Sequence, residues 1–211
     1  MPNLGYYRQK IKFKFYQTKE EKMSLKPVEL HKAYRLINHG PTVMVSAEFD
    51  GVRDVMSASW VCPLDYDKLT AVIGASSFTR SLFEKSGKFA VQVPFVSQAQ
   101  FVAKMGTTSM RGGAGKLEGV EMFYERDVPM VRGCAAWLVC KRIPEPHNEQ
   151  SYDLFIGEVV AAYTDERIFD GGHWLFEKIP DELKTLHYVA GGRYYLDGKA
   201  VDTKRTPISD E

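Results

Sequence analysis

Motifs that would announce a reaction are missing from this 211-residue chain. It has no GxSxG elbow and no HExxH pair, so neither a Ser-His-Asp hydrolase nor a zinc peptidase is indicated. No P-loop or GxGxxG spacing occurs. The three cysteines, Cys62, Cys134 and Cys140, form no CxxC pair. An odd number without clustering predicts free thiols in a reducing compartment, and so a cytoplasmic protein. Cys62 is expected to be a buried, inert thiol. The five histidines, at 31, 39, 147, 173 and 187, lack metal-ligand spacing, so no metal site is expected. Long apolar runs are absent. The longest, CAAWLVC at 134–140, falls far below the roughly 20 residues of a membrane span, and no secretory leader is visible. Net charge is only +1, and its basic part is concentrated at the start. Residues 1–22 hold six basic side chains against Glu20 and Glu21, so the body is mildly acidic and gives no reason to expect nucleic-acid binding.

What is present suits a globular domain. The apolar fraction of 44% supports a sizeable core, and the length suits one domain. Residues 1–22 are expected to be an extension outside the fold, 23–202 the domain, and 203–211 a tail. Apolar spacing predicts a helix over 27–38, stopped by His39-Gly40-Pro41. Strands are expected at 42–49 and 52–60 around an Asp50-Gly51 turn. A third follows at 69–75, then a helix over 79–86 with Ser81 and Glu84 as a capping box and Gly87 as its stop. A strand at 88–94, a helix at 97–105 and a flexible loop at 106–115 come next. Two long strands, 133–142 and 152–163, flank the polar loop PEPHNEQ. About six strands with hairpin-like spacing predict a mainly β fold, an antiparallel barrel-like sheet with short peripheral helices.

The richest stretch is DVMSASWVCPLDYDKLTAVIGASSFTRS, residues 54–81. The small residues Ser57, Ala58 and Ser59 would let a ligand approach the backbone, with Trp60 beside them. Ser76, Ser77, Thr79 and Arg80 gather hydroxyls, a guanidinium and a helix start, a chemistry that suits an anion such as a phosphate. The stretch then holds a phosphorylated aromatic cofactor, or it is an ordinary strand, turn and Ser/Thr-capped helix. Lys116, where the glycine-containing loop rejoins the fold, is a further candidate for the anion.

These pieces occur in a telling order: PTVMVSAEFDG, MSASWVCPLDYD, SSFTRSLFEKSGKFAVQVP, a loop closing on Lys116, LFIGEVVAAY and HYVAGGRYY. Over roughly residues 27–200 the chain resembles the flavin reductase-like, FMN-binding split-barrel family, and most of all its flavoredoxin branch. The resemblance implies a split β-barrel homodimer with FMN near the subunit interface. It implies an oxidoreductase moving hydride or electrons from a donor such as NAD(P)H to a flavin or redox protein. It places Ser57 to Trp60 against the flavin ring, Ser76, Ser77, Thr79, Arg80 and Lys116 at the phosphate, and Tyr194 near the cofactor. Two positions depart from the family pattern. Asp54 stands where an Asn is common, and Gln150-Ser151-Tyr152 where Gly-Asp-His is common, which leaves the electron source open. A non-catalytic carrier, or a split barrel for another cofactor, are the alternatives.

Overall fold

The computed structural model describes residues 25–203. The expected extension over 1–22, and the expected tail beyond residue 203, lie outside them. In chain order the elements are β1 (Leu25–Pro27), β2 (Val43–Phe49), β3 (Val52–Ala58), β4 (Val61–Asp65), β5 (Lys68–Val72), α1 (Phe78–Ser86), β6 (Lys88–Val93) and α2 (Ala99–Thr107). Then come β7 (Met122–Glu125), β8 (Val128–Val131), β9 (Ala136–Ile143), α3 (Pro146–Ser151), β10 (Leu154–Asp165), β11 (Phe169–Asp170), β12 (His173–Trp174), β13 (Leu186–Ala190) and β14 (Arg193–Leu196). Seven strands run in the order β3-β2-β6-β9-β10-β5-β4, with β1 added to β10. Every pairing is antiparallel. This is the expected mainly β, antiparallel architecture with short helices outside it.

The two ends of that order, β3 and β4, are consecutive in the chain and joined only by Ser59-Trp60. Three Cα steps reach about 11 Å at most. The sheet therefore curls until its edges nearly meet, without pairing. The Trp60 carbonyl accepts from Val72 N–H at 2.9 Å, holding the link to β5.

Curling gives the strands two buried faces. Val43, Val45, Phe89, Val91, Leu138, Cys140 and Phe155 face an inner core closed by Leu36, Leu82 and Phe83. Met44, Val55, Ala90, Trp137 and Val139 face a second core under α2 and the β7–β8 hairpin. Burial on both faces explains why β2 and β9 read as continuous apolar runs instead of alternating ones. The second core is fixed by buried polar groups. Gln92 donates to Ser46 at 2.8 Å and accepts from Val131 N–H, and Trp137 Nε1 donates to the Val131 carbonyl at 2.9 Å.

Several local expectations change. The helix over 27–38 is instead β1 followed by a 3-10 turn over Leu30–Leu36. Leu25 to Pro27 are drawn into the sheet by pairing with Tyr163 to Asp165, where an edge strand tolerates the proline. Helix α1 is capped by Ser77, which accepts from Arg80 N–H, and Gly87 ends it at φ 70. Ser81 makes no capping box; its hydroxyl donates back to the Phe78 carbonyl at 2.7 Å. Residues 146–151 of the polar connection form α3. Cys62 is exposed on edge strand β4, whereas Cys134 and Cys140 are buried and burial pushes their thiols up.

The C-terminal hairpin β13–β14 is bolted on by a polar cluster. His187 Nδ1 lies 3.1 Å from the Gly40 carbonyl and Nε2 lies 3.0 Å from Asp197 Oδ1. Both partners only accept, an arrangement that favours the ring protonated at both nitrogens. The Asp197 carboxylate accordingly raises the His187 pKa above its ordinary value. A raised histidine contributes stability fully below about pH 6.5, and that contribution is lost as pH rises through the folded-state value. His39 acts oppositely. Burial pushes it down to about 4, so its contribution is present above about pH 6.5 and lost as pH falls. We expect the thermal midpoint to drop as pH is raised from about 6.5 to 8.5, and to drop less in His187→Gln. An equal drop in both proteins, measured by circular dichroism, would remove His187 from the account.

Candidate functional site

Where β3, α1 and α2 meet, the surface opens into a cavity of about 290 Å³. Asp54, Met56 and Ser57 of β3 form its floor. Gly74, Ser76, Ser77, Phe78 and Thr79 form one wall, and Met105 to Ser109 with Lys116 form the other. The first wall is the turn from β5 into α1, which exposes the helix start. The N–H groups of the first helical turn have no partner within the helix. The second wall is the end of α2 and the turn after it.

Among the described residues, the only charged side chains lining the cavity are Asp54 and Lys116. Their side chains are each 2% exposed, with Lys116 Nζ 2.8 Å from Asp54 Oδ1. The contact is an ion pair without hydrogen-bond geometry. Thr79 donates to the other carboxylate oxygen, Oδ2, at 2.7 Å. A carboxylate and an ammonium are thus sealed together at the base of a hydroxyl-rich pocket. Ser77 Oγ is 3.0 Å from Met56 Sδ and also caps α1. Gly106 has no room for a side chain, because a Cβ there would meet Ser57 Oγ. That glycine lets α2 close against β3. A second hollow, about 560 Å³, lies outside the loop beside Gly51, Arg53, Met110 and Leu117. Its Arg53 is occupied with the Tyr124 hydroxyl at 3.1 Å.

Six of the residues singled out in the sequence therefore converge: Asp54, Ser57, Ser76, Ser77, Thr79 and Lys116. Five do not line the cavity. Trp60 is 74% exposed and Ser59 is exposed beside it on the link between the sheet edges. Ala58 packs on the inner core. Tyr194 pairs with Tyr188, ring centroids 5.3 Å apart, in the C-terminal hairpin. Arg80 turns away altogether. Its Nε donates to Glu84 at 2.9 Å and its Nη1 to the Ile73 carbonyl at 3.0 Å and to Asp153. Nη2 donates to the Glu149 carbonyl at 3.2 Å, and the guanidinium lies 4.8 Å over the Phe155 ring. Four of its five N–H groups are engaged in this way, and the side chain does not line the cavity.

Thr107, Thr108 and Ser109 join the cavity from a stretch expected to be a mobile surface loop. Their signal was a hydroxyl run resembling Ser76-Ser77 on the opposite wall. His39, His187 and Asp197, far apart in sequence, bring ligand-type atoms within 4.8 Å of one another, where hydrogen bonds to Thr185 and within the group tie them together. No helix among the described residues is long and apolar enough to cross a membrane.

Comparison with known proteins follows the same lines. The flavin reductase like domain matches residues 34–197. The chain belongs to the flavin reductase-like family. A solved FMN-binding domain of a flavin reductases-like enzyme from Shewanella baltica is 47% identical, with a TM-score of 0.84, covering 86% of this chain and 98% of that one. The uncharacterized protein YddH of Escherichia coli K12 is 34% identical over 190 residues, 83% of this chain and 96% of its own length. The flavoredoxin of Methanosarcina acetivorans shares the fold, with a TM-score of 0.65 at 20% identity, covering 77% of this chain and 87% of that one. The split-barrel architecture is thereby shown for this family member, and its likeness to flavoredoxins is one of fold.

Proposed function

We propose that this flavin reductase-like protein binds FMN in the cavity between β3, α1 and α2, as the carrier of an oxidoreductase activity. The observation that supports this most is the cavity's donor set. Hydroxyls from Ser76, Ser77, Thr107, Thr108 and Ser109 surround the start of α1, with a buried lysine beneath them. That set fits a phosphate, whose oxygens accept several hydrogen bonds and favour a helix N-terminus. Ser57 and Met56 would meet the ribityl chain and the edge of the ring. At about 290 Å³ the cavity sits at the low end of ligand pockets. The ring would need room beyond it, which a second copy of the chain would help to enclose. When bound, FMN supplies a ring that takes up and passes on hydride or electrons. The protein's own part is to hold and orient that ring and to limit its contact with water.

Purified protein mixed with FMN is expected to give a saturable flavin absorbance at one per chain, and sedimentation is expected to report a dimer. Added NADH or NADPH would then bleach that absorbance and be consumed steadily with a flavin acceptor. Bound FMN without such consumption would favour the carrier role. A protein that takes up no FMN would overturn the reading.

A further inference from the structure

We propose that Asp54 is a specificity-determining residue that lowers the flavin site's preference for the phosphate group, so that the flavin is held exchangeably. This rests on the FMN reading above and concerns the charge inside that cavity. Three observations carry it. Asp54 and Lys116 are the only charged side chains among the described residues that line the cavity, and both are buried. They lie 2.8 Å apart, so the ammonium that would attract a phosphate already has a counter-charge. The other candidate cation, Arg80, does not line the cavity and is engaged with Glu84, Asp153 and the Ile73 and Glu149 carbonyls.

The consequence is a matter of counting. A phosphate monoester carries about −1.5 to −2 charges near neutral pH. It enters a pocket whose side chains sum to zero, so hydroxyls and helix amides must hold it while a carboxylate stays close by. In the shielded interior that carboxylate acts with little screening by salt. A cavity with Lys116 alone would attract the phosphate strongly. The Asp54 carboxylate cancels that attraction, while its hydrogen bond from Thr79 ties it to the first wall and its contact with Lys116 to the second.

Asp54→Asn keeps an acceptor for Thr79, removes the charge, and turns an amide NH2 towards Lys116 in place of the second oxygen. Four proteins would be compared by titration with FMN and with riboflavin, which lacks the phosphate: native, Asp54→Asn, Lys116→Met and the double variant. The side-chain charge of the cavity is then 0, +1, −1 and 0. The preference for FMN over riboflavin should follow that order, rising about tenfold or more in Asp54→Asn and collapsing in Lys116→Met. In the double variant it should return close to native. A merely structural role for the pair would make the double variant the poorest binder and leave the ratio unmoved. An FMN preference in Asp54→Asn equal to or below native would overturn the proposal. If that variant fails to fold, a double variant no better than Lys116→Met overturns it just as well. Failure of the native protein to bind either flavin would instead defeat the FMN reading itself.

Discussion

Arg80→Ala is expected to cost the fold, and to leave flavin affinity in the folded protein within about threefold. The guanidinium joins α1 to the β5 end and to α3 through Glu84, Ile73, Asp153 and Glu149, over the face of Phe155. Removing one member of a buried ionic group costs about 3–5 kcal/mol, chiefly by stranding its partners. Glu84 and Asp153 are each more than a third exposed, so water would recover part of the loss. A value near 3 kcal/mol is therefore expected. For a domain of this size that lowers the thermal midpoint by about 6–12 °C. A midpoint within 2 °C of native, or a selective loss of FMN affinity with the fold intact, would return Arg80 to the phosphate site.

Gly157→Val should be comparably damaging, for a steric reason. Gly157 lies in β10 opposite Arg142 of β9, and a Cβ there would meet Phe89 Cζ at 2.6 Å and Cys140 Cβ at 3.3 Å. Phe89 cannot step aside freely, since it packs on Phe83 with centroids 5.2 Å apart, and Phe83 in turn packs edge-on against Phe155 at 4.9 Å. Overpacking a core of this kind costs about 1–3 kcal/mol, and more where an aromatic cluster must move as a unit. Denaturant unfolding would show the midpoint shift. A native-like midpoint would mean that the aromatic cluster repacks without cost.

Much of this was readable along the chain, and the misses have specific physical causes. The hydroxyl runs at Ser57 and at Ser76-Ser77 mark strand and helix ends, a local property, and they do line the cavity. Asp50-Gly51 announced a hairpin because it takes the positive φ angles that tight turn needs. The β7–β8 hairpin passed unseen. Its turn is Arg126-Asp127, at φ 51 and 64, without the glycine that follows Asp50 in the first hairpin. Arg80 was assigned by its neighbours in sequence, whereas its partners Glu149 and Asp153 lie about seventy residues on. Leu25 to Pro27 became a strand because β10 was available to pair with, again a partner far along the chain. Asp54 looked like a lone carboxylate beside a flavin until the fold brought Lys116 against it.

The two-residue link at Ser59-Trp60 also dictates an order of events during synthesis. Hairpins β2–β3, β4–β5 and β9–β10 connect near neighbours and form locally. Joining the two halves requires β5 to pair with β10, where Val72 meets Leu154. Contacts of such separation form slowly, because loop closure must precede any gain from pairing. A nascent chain that has not yet delivered Leu154–Asp165 leaves the free edges of β5 and β9 open to other strands. Ribosome-stalled or truncated chains ending before residue 154 should therefore be the aggregating species, and chains that include β10 should not.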